Sequence, residues 1–160
     1  MKILEAFSYA SQLHAGHVDL AGRPYIDHLS RVCRAVQERG GSIYQQIASL
    51  FHDALEDGKA TVDELLATGV PRLAVDLVLI LTRRHNETYA QYILRVSASP
   101  DAGLIKQADI EDNLQPERLG LLDAAKRDGL KKRYAKALEA LACADGLSTS
   151  LQQAPSDVLC

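Results

Sequence analysis

The segment Phe51-His52-Asp53-Ala54-Leu55-Glu56-Asp57 gathers one imidazole and three carboxylates directly behind an apolar run. On a helix, His52 and Glu56 lie one turn apart on one side, and so do Asp53 and Asp57. His52 and Asp53 are adjacent, so their side chains diverge by about 100°. Both can still bind one ion in the cleft between those directions if other helices complete the shell. Three acids in a last helical turn also oppose the helix dipole, and functional sites are where local rules tend to be broken. The bland alternative is a solvated, frayed helix end.

Two more residues are candidates for the rest of such a shell. His28 sits in Pro24-Tyr25-Ile26-Asp27-His28, where a helix emerges from a loop; a lone histidine there is more often a packing or capping residue. Asp109 follows Ile105 by one turn and adjoins Ala108, on or beside an apolar stripe. Buried without a partner, its charge would cost several kcal/mol, so an inward-facing Asp109 requires a cation. At the edge of the stripe it would simply be solvated. Together His28, His52, Asp53 and Asp109 make a mixed nitrogen and oxygen shell with room for water, which by ligand type suits Mn, Fe, Zn or Mg. Such an ion lowers the pKa of bound water to about 7 and neutralises phosphoryl oxygens. Glu56 and Asp57, one turn beyond, are placed to orient that water or move its proton.

The elements that must position these residues read as helices throughout. Ile3, Leu4, Phe7, Ala10 and Leu13 predict a first helix over residues 2–17 that ends near Gly16. A loop follows from His17 to Pro24, then a helix from Ile26 to Arg39, stopped by Gly40-Gly41. Ser42 caps a third helix, Ile43 to Asp57, which Gly58 stops. Thr61 to Glu64 forms a capping box for a short helix. Pro71, in a first turn, opens a nearly all-apolar helix to Leu81, expected to be central. Asn86 can cap a helix to Ser97, and Ser99-Pro100 starts one to about Leu114. Pro116 begins a last pair of helical segments, interrupted near Asp128-Gly129. These readings predict one all-α domain over residues 1–143 and a flexible tail over 144–160, where Gly, Ser, Thr, Gln and Pro take over.

The order and spacing of the chemical residues also resemble a known family. His14-x-Gly16, Gly22-x-Pro24-Tyr25-Ile26-x-His28, His52-Asp53-x-x-Glu56-Asp57 and Lys106-x-Ala108-Asp109-x-x-x-Asn113 occur in sequence. This resembles the hydrolase domain of the RelA/SpoT family and the stand-alone small alarmone hydrolases, over about residues 1–140. The resemblance implies an all-α HD-domain helical bundle, usually holding Mn2+, that removes the 3′-pyrophosphate from (p)ppGpp to give GDP or GTP. On that basis His28, His52, Asp53 and Asp109 are metal ligands, Glu56 and Asp57 help activate water, and Asn113 faces the nucleotide. The synthetase half of the long members is not expected.

One stretch departs from the resemblance. Between Gly16 and Gly22 the alarmone hydrolases typically carry a basic pair that packs on the guanine base; here Asp19 and Leu20 stand there. An acid cannot supply cation–π stacking and would repel a phosphate. Arg23, near that loop, could partly compensate, and so could Arg83, Arg84 and Lys106. Hydrolysis of another nucleotide is therefore the alternative activity, and a non-catalytic nucleotide-sensing module the alternative of a different class.

Bulk properties narrow the partners. The formal net charge of -3 argues against bulk binding to nucleic acid or an anionic membrane, while a bound cation can still attract a small anionic nucleotide. No apolar run approaches the roughly 20 residues of a membrane span. The N-terminus lacks signal-peptide organisation. Cys33, Cys143 and Cys160 show no metal-type spacing, which fits a reducing, cytoplasmic setting.

Overall fold

The computed structural model describes residues 1–19 and 22–152, with side chains described up to 143. Among these residues the elements are α1 (Ile3–Leu13), α2 (Tyr25–Glu38), α3 (Ile43–Phe51), α4 (Val62–Ala67), α5 (Arg72–Leu81), α6 (Tyr89–Ser97), α7 (Pro100–Asn113), α8 (Pro116–Leu119) and α9 (Ala124–Gln152). They include no strand; a single isolated antiparallel bridge joins Val18 to Pro24. The all-α expectation is met. No helix among them is long and apolar enough to cross a membrane.

Helix starts follow side-chain capping. Ser42, Thr61 and Thr88 each accept the backbone N–H three residues on, and Gln45, Glu64 and Gln91 return the bond to the cap's own N–H. Ser99 caps α7, with Pro100 in its first turn. Thr88 rather than Asn86 is the cap of α6, because only Thr88 has a glutamine three residues later to close the box. Pro71 occupies the N-cap of α5 instead of its first turn. At the far end of α2, Gly41 is required by crowding: a Cβ there would lie 2.5 Å from Val36 Cγ1 and 2.8 Å from the Val36 carbonyl.

The core forms where α2, α3 and α7 pack together. Leu29, Val32 and Val36 meet Ile47, Leu50 and Phe51, and Ile105, Ala108 and Ile110 complete the contact, all almost fully buried. Each large side chain here contributes about 1.5–3 kcal/mol. The same three helices carry His28, Asp109 and the approach to His52, so core packing fixes the backbone under the site. Around them α1 packs on α3, α5 on α3 and α7, and α9 on α6 and α7. Helix α5 packs on α3, α4, α6 and α7 and buries Ala74, Val75, Leu77, Val78 and Leu81, while Leu73 and Leu79 on its other side are exposed.

Three boundaries differ from the sequence expectation. Helix α1 stops at Leu13, three residues before Gly16, which turns the chain at φ 73°. Helix α3 stops at Phe51, not Asp57. His52 Nδ1 donates to the Ser49 carbonyl, the acceptor that a further helical turn would use. Beyond it the chain winds through mixed bonds, Ala54 N–H to Phe51 and both Lys59 and Ala60 N–H to Ala54. Helix α9 runs through Asp128-Gly129 unbroken; the cost of one glycine, about 1 kcal/mol, is set against strong helix formers on both sides and the docking of Ala137 and Leu141. Of the expected tail, the side chains of 144–152 and all of 153–160 lie outside the described residues, as do Leu20 and Cys160. Cys33 is half-buried and Cys143 exposed, both free.

Candidate metal centre

His28 enters the site from the first turn of α2, His52 caps α3, and Asp109 projects from the middle of α7; all three are buried. His28 Nε2 lies 3.2 Å from Asp109 Oδ1, and His52 Nε2 lies 3.5 Å from the same oxygen. One donor atom from each of the three falls within 4.8 Å of the others. Asp53 adjoins them, its Oδ2 3.0 Å from His52 Nε2, and takes a hydrogen bond from the Tyr25 hydroxyl.

The outer hydrogen bonds decide which ring atoms face inward. The Ser49 carbonyl can only accept, so His52 Nδ1 carries the proton of their 2.7 Å bond. His28 Nδ1 likewise donates to Asp112 Oδ2 at 2.7 Å. In the neutral tautomers both Nε2 lone pairs therefore point at Asp109 Oδ1, an arrangement of mutual repulsion unless a proton or a cation lies between. His52 Nε2 is buried with no hydrogen-bond partner among the described residues. Two imidazole nitrogens and carboxylate oxygens converging in this way are a donor set that fits a divalent cation.

Asp112 anchors this side. Its Oδ1 accepts from Arg31 Nε at 2.6 Å and from Gln115, and its Oδ2 accepts from His28 and, at 2.8 Å, from Arg118. Burial alone would raise the Asp112 carboxyl, but the bonds from His28 and Arg31 outweigh it and hold the pKa at about 2. His28 shifts the other way: burial lowers it, and Asp109 and Asp112 more than reverse that. In His52, too, burial is overcome, here by Asp53 and Asp109, and the ring is held well above its ordinary value.

The remaining expected residues divide between this wall and the rim. Lys106 Nζ donates to Asp109 Oδ2 at 2.7 Å and lies over the Tyr92 ring; Asn113 Nδ2 donates to Asp109 Oδ1 at 2.7 Å. Both end groups thus hold Asp109. Glu56 is exposed and accepts the Arg83 backbone N–H at 3.1 Å. Asp57 lies at the rim, 3.9 Å from His17 Nδ1, and burial together with Asp53 raises its carboxyl above the usual range. Arg23 is exposed, while its backbone N–H bonds Asp19 Oδ1 at 3.0 Å.

Asp19 behaves differently from the expectation of a phosphate-repelling loop acid. Its carboxylate is buried, 3.6 Å from the Arg118 guanidinium. Asp112, Arg31 and Arg118 lie outside the sequence motifs, whereas Tyr25 stands in the motif that leads to His28. For Asp112 the signal was available: it follows Asp109 by three on α7, which places both on neighbouring lines of one helix face.

No family model matches the chain. A mouse protein, guanosine-3′,5′-bis(diphosphate) 3′-pyrophosphohydrolase MESH1, is 32% identical over 122 residues, covering 71% of this chain and 68% of that protein. A "Probable GTP pyrophosphokinase" of Mycobacterium leprae is 31% identical over 126 residues, and a guanosine-3′,5′-bis(diphosphate) 3′-pyrophosphohydrolase of Aquifex aeolicus 30% over 122. The chain spans only 16% and 17% of the length of those two relatives. A solved structure of a metazoan ortholog of SpoT that hydrolyzes ppGpp superposes with a TM-score of 0.74 at 24% identity, over 87% of this chain and 84% of the other, which speaks for the fold. With the mouse protein matched over most of its length, the chain belongs to the guanosine-3′,5′-bis(diphosphate) 3′-pyrophosphohydrolase family and shares its HD-type helical fold.

Proposed function

We propose that this chain is a metal-dependent hydrolase that removes the 3′-pyrophosphate from guanosine-3′,5′-bis(diphosphate) and its triphosphate form, with Mn2+ as its ion. The observation that carries this reading is the convergence of His28 Nε2 and His52 Nε2 on Asp109 Oδ1, beside Asp53. These four residues would hold the ion, which when bound supplies positive charge to the phosphoryl oxygens and acidifies water. The wall behind them keeps both imidazoles in the tautomer that presents Nε2, through the Ser49 carbonyl and Asp112. Lys106 and Asn113 fix the Asp109 carboxylate, one on each oxygen.

Asp57 is the acceptor for the proton of the attacking water. Its raised pKa gives it more affinity for a proton than an ordinary aspartate, and its place at the rim keeps it open to solvent. Glu56, steadied by the Arg83 N–H, orients the water from the same turn. Water adds to the phosphorus attached at O3′, that P–O bond breaks, and the 3′ oxygen leaves with a proton as the hydroxyl of GDP or GTP. Arg23, exposed at the loop, receives the substrate's phosphates. The free thiols of Cys33 and Cys143 suit the cytoplasm, where such a hydrolase would lower the alarmone level of a starvation response.

An aspartate at position 19 also supports a second reading, hydrolysis of a different nucleotide, because no cationic side chain from that position can stack on guanine, although its pairing with Arg118 removes the repulsion of phosphate. Product analysis separates the two. With Mn2+ added, ppGpp is expected to yield GDP and pyrophosphate in equal amounts. Intact ppGpp alongside cleavage of another nucleotide in the same panel would overturn the alarmone reading.

A further inference from the structure

A second group of donors lies outside the centre described above, in the loop that follows α1 and in the turn that follows α3. His14, His17 and Asp57 each offer one donor atom, and these atoms lie within 4.8 Å of one another. His14 is the C-cap of α1, its N–H bonded to the Ala10 carbonyl; the His17 N–H bonds the His14 carbonyl, and the His17 carbonyl accepts from Tyr25. Asp57 is held by its own N–H on the Asp53 carbonyl. The backbone under all three is therefore fixed by local bonds rather than left to a free loop.

The side chains converge edge to edge, where a cation can take the place of the shared proton. His14 Nδ1 and His17 Nδ1 stand 2.9 Å apart, and Asp57 Oδ2 is 3.9 Å from the same His17 nitrogen. Two imidazole nitrogens at that distance need a single proton or a cation between them. His14 is buried, and burial together with His17 lowers its pKa to about 4, so at neutral pH its lone pair is available. The Tyr25 ring stacks on His17 at 4.1 Å and on His14 at 5.0 Å, which holds both imidazoles in plane and leaves their ring edges as the working surface. The exposed side of Asp57 and His17 gives an ion an entry path and room for water.

We propose that His14, His17 and Asp57 form a second divalent-cation site, separated from the first by Tyr25 and Asp53. Two imidazoles and one carboxylate with open positions suit Zn2+ or another late first-row ion better than Mg2+ or Ca2+, which take oxygen shells. An ion bound there takes Asp57 out of proton transfer, because coordination lowers a carboxylate's basicity, so occupancy of this site and turnover oppose each other. The site stands whether or not the substrate is an alarmone, since it is read from metal stoichiometry alone.

The test is Zn2+ bound per chain, measured by equilibrium dialysis and elemental analysis on the full-length protein after chelator treatment. Wild type is expected to hold two equivalents, His17→Gln one, Asp53→Ala one, and the double variant none. With Co2+ as a spectroscopic probe, His17→Gln removes one of two sets of visible bands and leaves the other. One equivalent in wild type would overturn the proposal. So would a second equivalent that survives His17→Gln, since it would then be held elsewhere, as by the exposed Cys143 thiol. If His17→Gln fails to fold by circular dichroism, Asp57→Asn reads the same loss from the other element, with two retained equivalents again contradicting the assignment.

Discussion

The two walls of the metal pocket are built on opposite plans. On the inner wall, α2, α7 and α8 supply a buried network in which Asp112 meets His28, Arg31, Gln115 and Arg118. On the outer wall, the turn after α3 and the loop after α1 present Glu56, Asp57 and His17 half open to solvent, with fewer and longer contacts. A saturated network in low dielectric sets geometry and resists protonation. A partly solvated carboxylate can exchange protons and meet ligands. The contrast assigns ligand orientation to the inner wall and proton transfer and cation capture to the outer.

Substitutions on the two walls should therefore fail in different ways. Asp57→Asn on the outer wall is expected to lower kcat by about 10²–10⁴-fold, while the ion held by His28, His52 and Asp109 is retained. Loss of that inner ion in Asp57→Asn would erase the distinction. Asp112→Ala on the inner wall leaves the Arg118 and Arg31 charges without their shared carboxylate and is expected to cost about 3–5 kcal/mol of stability. The milder Asp112→Asn should fold and weaken metal affinity about 10–100-fold, checked by competition with a metal indicator. Equal effects of both Asp112 variants on affinity and stability would assign this residue to packing alone.

Acid sharpens the comparison further. His14 has a folded-state pKa of about 4, below its ordinary 6.5, because burial and His17 disfavour its charged form. The unfolded chain then binds more protons between those values, so stability is full above about pH 6.5 and declines as pH falls toward 4. Asp112, held at about 2 against an ordinary 3.8, adds loss only below about pH 4. His28 and His52, both raised, act in the opposite sense, so the prediction is a difference: from pH 7 to pH 5 the metal-free thermal midpoint of wild type should move further downward than that of His14→Gln. The smallest effect is expected far from both walls: Ser42→Ala removes the cap bond to Gln45 N–H and costs about 1 kcal/mol with no change in turnover.

Much of this architecture is visible in local sequence because its causes are local. Capping boxes at Ser42 and Thr61, Pro100 behind Ser99, and the His52-Asp53 pair after an apolar run all announce themselves within a few residues. What local patterns miss are partners brought together by packing. His28 and Asp112 are bonded across 84 positions, and nothing near either residue names the other. Asp19 reads as an acid facing substrate until Arg118, from α8, covers it. The end of α3 illustrates the converse. The spacing of His52, Asp53, Glu56 and Asp57 presumes a helix that in fact stops at Phe51, yet Asp57 still follows Asp53 by one turn because its N–H bonds the Asp53 carbonyl.

The central claim is that hydrolysis depends on an ion held where both Nε2 atoms meet Asp109. Its most direct test measures bound Mn2+ and pyrophosphate release from ppGpp on the same preparations of wild type and Asp109→Asn, each stripped by chelator and then reloaded. Wild type should lose turnover on stripping and regain it with about one tightly bound Mn2+ required for activity, while Asp109→Asn should regain neither. Turnover by stripped wild type, or by Asp109→Asn at the wild-type rate, would contradict the account.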